Sequence, residues 1–286
     1  MKKSTIGWIG LGTMGIPMAN SLLRNDYDLT VYNRNPEKVR TLEDQGAKVA
    51  VSPADLISKV ETVIVMVTDD QAIKDIFEGP DGLLSIDTNG KTIINMSTVS
   101  PEISIQMEAL CKQRGNYYLD APVSGSVKQA TEATLVIIAG GEASVFENAK
   151  PILESLGKVA LRFGEVGSGN RVKLIVNTFL AIQAQALAEA LSFAKDLQVD
   201  QAALMDVLNS GALGSPFVKI KGEAIVGNNF KPAFSLNNIV KDLKLAKEIG
   251  LNYPLGTTAL NSYQSAAAEH GSDDIISIYN ALKGAN

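Results

Sequence analysis

Two hydrophobic rhythms alternate along the first half of the chain. Thr5–Gly10 is a short apolar run, Leu29–Asn33 is β-branched and aromatic, and Thr62–Val67 is apolar on both faces, as a buried strand is. Helical periodicity follows at Met14–Arg24, Pro36–Gln45, Gln71–Phe77 and Pro101–Arg114. Pro36 stands in a first turn, where proline is accepted, and Gly46 stands where a helix end favours glycine. Thr92–Met96, Tyr117–Leu119 and Thr134–Ala139 add three more strands. This alternation predicts an α/β domain over residues 1–164, a doubly wound parallel sheet covered by helices.

The pattern changes after Phe163. GEVGSGN reads as a glycine-rich turn, and Asn170–Leu197 then runs as a long linking helix free of proline and glycine. From there on the signals are almost all helical, so residues 165–286 are expected to form an all-helical domain for substrate and oligomer contacts. The alanine-rich face of the long helix fits a homo-oligomer. By pattern alone it fits equally a helix buried within its own chain.

Composition narrows the function classes. The 286 residues are 45% apolar and 20% charged, as in an ordinary globular protein of one large or two medium domains. A net charge of −5 argues against a general nucleic-acid surface. The single cysteine, Cys111, excludes an internal disulfide and fits a reducing compartment. The N-terminal MKKSTIGWIG has no long apolar stretch, and no segment is read as approaching the ~20 apolar residues of a membrane span. A cytoplasmic protein with no membrane partner is the expectation. No HxxxH, CxxC or carboxylate cluster has metal-ligand spacing, so no metal is expected.

The first apolar run leads directly into WIGLGTMGIPMAN, with Gly10, Gly12 and Gly15 at GxGxxG spacing. A strand precedes and a helix follows, which is the context of a Rossmann-type dinucleotide loop. Gly10 permits the turn, Gly12 lets backbone approach phosphate, and Gly15 lets helix and strand pack. The loop residues Leu11, Thr13 and Met14 complete the expected cofactor contacts. A carboxylate about 20 residues beyond such a loop reads the ribose of NAD. This chain has Asn33-Arg34-Asn35 at the strand end instead. A guanidinium suits a 2′-phosphate, so NADP(H) is favoured, with NAD(H) possible if Asn33 alone bonds the ribose.

The acid/base group must be sought outside histidine. The lone histidine, His270, lies in the polar helix end AAAEHGSDD and reads as solvated or capping. Cys111 reads as a small core residue. In GEVGSGNRVKLIVNTFLA, Lys173 and Asn177 are i and i+4 on one helix face, among Val172, Leu174, Ile175, Val176 and Phe179. A lysine there either snorkels to water or lines a cavity; the glycine turn just before it favours a cleft.

The chain at this point resembles the β-hydroxyacid dehydrogenase family, which includes 3-hydroxyisobutyrate dehydrogenases and glyoxylate/succinic semialdehyde reductases. Four blocks carry the resemblance, in order and over nearly the full length: IGLGTMGIPMANSLL, DAPVSGS, GEVGSGNRVKLIVN and KDLKLA. The resemblance implies that Lys173 is the catalytic lysine and Asn177 its partner. It implies that Ser124 and Gly125 hold a substrate carboxylate and that Thr98 lies beside the nicotinamide. Lys241 is implied to reach the cofactor, Asp242 to neighbour the substrate and Phe234 to be a pocket aromatic. Ser124-Gly125-Ser126, Asn33-Arg34 and KPAFSL look more like the reductase branch. LNNIVKDL departs from the lysine-histidine sequence of the plant reductases.

The expected chemistry is NADPH-dependent reduction of a short aldehyde acid at a site between the domains, with Lys173 as proton donor. A free lysine titrates at about 10.4, so the reverse oxidation is expected to favour alkaline pH. The alternatives are an NAD-dependent 3-hydroxyisobutyrate-type dehydrogenase and a non-catalytic NADP-binding module. Non-catalytic members of the family usually lose the lysine, which this chain keeps. The resemblance implies a homodimer or homotetramer.

Overall fold

Residues 4–282 are described by the computed structural model. The chain divides into two compact units, Met1–Lys173 and Leu174–Asn286.

The first unit opens with β1 (Thr5–Ile9), α1 (Gly15–Arg24) and β2 (Asp28–Tyr32). A 3-10 turn at Pro36–Val39 leads into α2 (Arg40–Glu43), then β3 (Lys48–Val49), α3 (Pro53–Lys59) and β4 (Thr62–Val65). α4 (Asp70–Glu78), β5 (Thr92–Asn95), α5 (Pro101–Gln113) and β6 (Tyr117–Asp120) follow. These strands form one parallel sheet in the order β3-β2-β1-β4-β5-β6. Strand order reverses at β1, between β2 and β4, the place where doubly wound sheets open their ligand crevice. Alternating side chains feed two cores, as the pleat requires: Ile6, Trp8, Ile64 and Ile94 on one face, Ile9, Val63, Val65 and Ile93 on the other.

A second sheet completes this unit, in the order β7 (Val123–Ser124), β8 (Leu135–Ala139), β9 (Gly157–Arg162). Thr134–Ala139 therefore does not extend the parallel sheet; β8 pairs antiparallel with β7 and parallel with β9. β6 runs into Pro122, which has no amide to continue a ladder, and the isolated bridge Asp120–Gly140 joins the two sheets. Two further helices lie here that the sequence pattern does not predict, α6 (Val127–Thr131) and α7 (Ala143–Glu154). Pro151 lies inside α7 and hides its period. The expected helix Pro36–Gln45 is divided into the 3-10 turn, capped at its start by Asn35, and α2, which ends at Glu43.

α8 (Ser168–Asp196) is 29 residues long, and the division between the units falls inside it, after Lys173, rather than near residue 164. The rest of the second unit is helical: α9 (Gln201–Ser210), α10 (Pro216–Val226), α11 (Leu236–Glu248), α12 (Pro254–His270), a 3-10 turn at Ile275–Ser277 and α13 (Ile278–Leu282). Ala181, Ala184, Leu187, Ala188 and Leu191 of α8 pack in its core with Leu243, Leu260 and Tyr263. In length and apolarity α8 does reach a membrane span, with a mean hydropathy of 1.4, which corrects the expectation that no segment approaches one. Half of that stretch is buried in protein.

Candidate active site

The glycine loop leaves β1 at the sheet's switch point. Gly10 has φ +99°, and a Cβ there would lie 2.1 Å from the Met66 carbonyl oxygen. A Cβ on Gly15 would lie 2.0 Å from the Gly10 oxygen, which also accepts from Trp8 Nε1 at 3.0 Å. Both glycines are thus required by the protein's own packing. Gly12 is not: a Cβ on it would meet nothing within 4 Å. No atom of the described chain calls for a glycine there. Met14 is the N-cap of α1 and gives no side-chain cap, and the first turn carries no acidic residue. Ile16 N donates to the Gly12 oxygen at 3.1 Å and Pro17 has no N–H, so an anion here would meet the positive end of the helix and the loop backbone, and the residues present fit a dinucleotide pyrophosphate.

The remaining loop residues divide by role. Thr13 is exposed and Met14 half-buried, whereas Leu11 is a core residue. The Leu11 amide donates to Asn33 Oδ1 at 2.9 Å, and Asn33 Nδ2 donates to the Asn35 oxygen at 2.9 Å. Asn33 therefore ties the end of β2 to the glycine loop. Arg34 beside it is exposed, with no ion-pair partner among the described residues.

Thr98 sits on a loop pinned at nearly every amide. Ser97 N donates to Asn95 Oδ1 at 3.0 Å, Val99 N to Asn170 Oδ1 at 3.0 Å, and Ser100 N to Asp70 Oδ1 at 2.9 Å. Asp70 and Asn170 carry no motif in the sequence; the position of Asn170, three residues before Lys173, is the one local signal. Ser124 ends β7, half-buried, and Gly125 turns with φ +139°. Gln129 Oε1 then closes the turn, accepting from Ser126 N at 2.8 Å and Ser126 Oγ at 2.6 Å.

Lys173 is 8% exposed, so it does not snorkel to water. Asn177 lies one turn further along α8. In the second unit, Asn177 Nδ2 donates to Asp242 Oδ2 at 2.6 Å, and both residues are buried. Lys241 Nζ stands 2.9 Å from Asp242 Oδ1, an ion pair without hydrogen-bond alignment. Phe234 immediately precedes Ser235, which caps α11. Its segment is clamped by Asp274, whose Oδ2 accepts from Ala233 N at 3.0 Å and Phe234 N at 3.4 Å. Asp274 Oδ1 in turn pairs with Lys221 Nζ at 2.5 Å. His270 pairs with Asp273 at 3.2 Å at the end of α12. Cys111 is fully buried, and burial pushes its thiol up to about 12, which leaves it inert.

A model of the NAD binding domain of 6-phosphogluconate dehydrogenase matches residues 5–199. A second, for NAD-binding of NADP-dependent 3-hydroxyisobutyrate dehydrogenase, matches residues 167–282. Glyoxylate/succinic semialdehyde reductase 1 of Arabidopsis thaliana is 34% identical over 265 residues, 91% of this chain and 92% of that protein. The chain belongs to the β-hydroxyacid dehydrogenase family. Similar β-hydroxyacid dehydrogenase folds include Mycobacterium tuberculosis 3-hydroxyisobutyrate dehydrogenase with L-serine, at TM-score 0.89 and 29% identity over 98% of this chain and 99% of that one. Cytokine-like nuclear factor N-PAC of Xenopus tropicalis is 36% identical over 281 residues, 96% of this chain but 53% of that protein. The chain thus spans about half the length of that relative.

Proposed function

We propose that the protein uses NADPH to reduce a short aldehyde acid, succinic semialdehyde or glyoxylate, to its hydroxy acid. The observation that carries this reading is Lys173, a buried lysine one helical turn from a buried Asn177. An ammonium held out of water is the group best suited to meet negative charge growing on a carbonyl oxygen.

Gly10, Leu11, Gly12, Thr13, Met14 and Gly15 with the start of α1 hold the pyrophosphate, and exposed Arg34 pairs with the 2′-phosphate. Bound there, the dinucleotide supplies the hydride. Thr98 orients the nicotinamide end, and Lys241 adds a cation to the cofactor's surroundings. Ser124 and the amides around Gly125 hold the substrate carboxylate by charge-assisted hydrogen bonds. Phe234 lines the acid's carbon chain. Lys173 stabilises the oxyanion and gives it a proton, and Asn177, oriented by Asp242, fixes the direction of delivery. NADP(H) is supported by Arg34 and by the family model of an NADP-dependent enzyme.

The test is a panel of glyoxylate, succinic semialdehyde, methylmalonate semialdehyde and 3-hydroxyisobutyrate against NADPH, NADH and their oxidised forms. Turnover of an aldehyde acid with NADPH supports the proposal. A preference for 3-hydroxyisobutyrate with NAD supports the second reading, favoured by the likeness to the mycobacterial dehydrogenase. The name of the N-PAC relatives favours a third, a non-catalytic NADP-binding module. Tight NADPH binding with no turnover of any panel member would select it.

A further inference from the structure

The first turn of α8 is fastened by one carboxylate and one amide that the proposed chemistry does not use. Asp120, in the DAPVSGS block, is fully buried. Its Oδ1 accepts from Gly167 N at 2.9 Å and its Oδ2 from Asn170 N at 2.7 Å. These are charge-assisted bonds to leading amides of a helix, which otherwise lack partners.

The fit around the carboxylate has no slack. A Cβ on Gly169 would lie 2.5 Å from the Asp120 carbonyl oxygen and 2.6 Å from that of Ile138. One on Gly140 would lie 2.4 Å from Asp120 Oδ1. The turn can therefore neither lift nor slide without losing both bonds. Asn170, also fully buried, extends the anchor sideways: its Oδ1 accepts from Val99 N at 3.0 Å and its Nδ2 donates to Ser104 Oγ at 3.3 Å. Val99 adjoins Thr98. Asn170 and Lys173 are three residues apart on one helix, about 4.5 Å along its axis. Every residue in this arrangement belongs to the first unit, which ends at Lys173.

We propose that Asp120 and Asn170 are positioning residues for the reaction, fixing the height and rotation of α8 at Lys173 and tying that turn to the loop of Thr98. The inference rests on the reading of Lys173 as proton donor. A shift of about 1 Å in a catalytic group can cost on the order of a hundredfold in rate, so a rigid first turn has kinetic value. Burial pushes Asp120 up to about 6, against the lowering effect of the Asn170 and Gly167 amides.

The experiment uses Asn170→Ala and Asp120→Asn in the full chain. Asn170→Ala keeps the backbone bond to Asp120 and removes the tie to Val99, so it carries the test if Asp120→Asn does not fold. The expected result is a 10- to 100-fold fall in kcat with the succinic semialdehyde KM and the NADPH Kd within about twofold of wild type. The solvent deuterium isotope effect on kcat should rise, because misaligned proton delivery limits turnover more. Hydrogen exchange should quicken at Val99 in Asn170→Ala, and at Gly167 in Asp120→Asn. A fall in kcat that merely tracks the folded fraction, with the isotope effect unchanged, overturns the proposal. So does wild-type kcat in folded variants, or unchanged exchange. If wild type reduces no aldehyde acid, or Lys173→Ala keeps turnover, the reading of function fails instead, and exchange still judges the anchor.

Discussion

Asn177 and Asp242 are joined by a 2.6 Å hydrogen bond across 65 positions of sequence, between α8 and α11. The carboxylate fixes which way the amide faces, and the Lys241 ammonium at 2.9 Å balances its charge. Asp242 thus acts on Asn177 as well as on the substrate side implied by family resemblance.

Replacing Asp242 with alanine removes a hydrogen bond to a charged group, about 1.5–3 kcal/mol. If that orientation matters only to catalysis, kcat for aldehyde-acid reduction should fall by about 10- to 100-fold. NADPH binding, followed by fluorescence, should change far less. An unchanged kcat would remove Asp242 from the mechanism.

The three loop glycines should respond differently to alanine. Gly12→Ala meets no protein atom, so its Tm should match wild type while dinucleotide Kd rises at least several-fold. Gly10→Ala faces a positive φ and the Met66 oxygen. It should lose about 1–3 kcal/mol or more of stability, read as a Tm several degrees lower. A Gly12→Ala variant with intact affinity for NADPH and NADH would show that no phosphate approaches that residue.

Arg34→Ala tests the choice of cofactor. Loss of a guanidinium–phosphate pair should weaken NADPH by about 10- to 100-fold while NADH binding stays level. Equal losses for both would point to a role for Arg34 in the loop rather than at the 2′-phosphate.

The Phe234 segment depends on Asp274, a carboxylate 3% exposed with Lys221 Nζ 2.5 Å away. Lys221→Met leaves that charge buried without its cation, at a cost of about 3 kcal/mol or more. Urea unfolding of the second unit should move to lower concentration, and the KM of the acid should rise as Phe234 loosens. Unaltered urea stability would mean that the backbone donors alone hold the carboxylate.

Much of the first unit was legible because buried strands and the glycine loop are written in local periods. β1, α1, β5 and α5 fall within a residue or two of expectation. β8 was recognised as a strand but assigned to the wrong sheet, since pairing partners are not encoded in a strand's own period. α7 was hidden by Pro151. Lys173 and Asn177 stood out locally as polar residues on an apolar helix. Their supports did not: Asp120, Asn170 and Asp242 work through partners as many as 71 positions away, and no local pattern announces such a bond. Asn33, the ribose ligand of the NAD alternative, also has a structural task that no local pattern shows: its Oδ1 accepts from Leu11 N and its Nδ2 donates to the Asn35 oxygen.

The central claim, that the buried Lys173 ammonium delivers the proton, is tested most directly by Lys173→Ala in single-turnover reduction of succinic semialdehyde with NADPH. The account predicts a loss of about 10²- to 10⁴-fold in rate with NADPH Kd within about twofold of wild type. Near-normal turnover in that variant would contradict it.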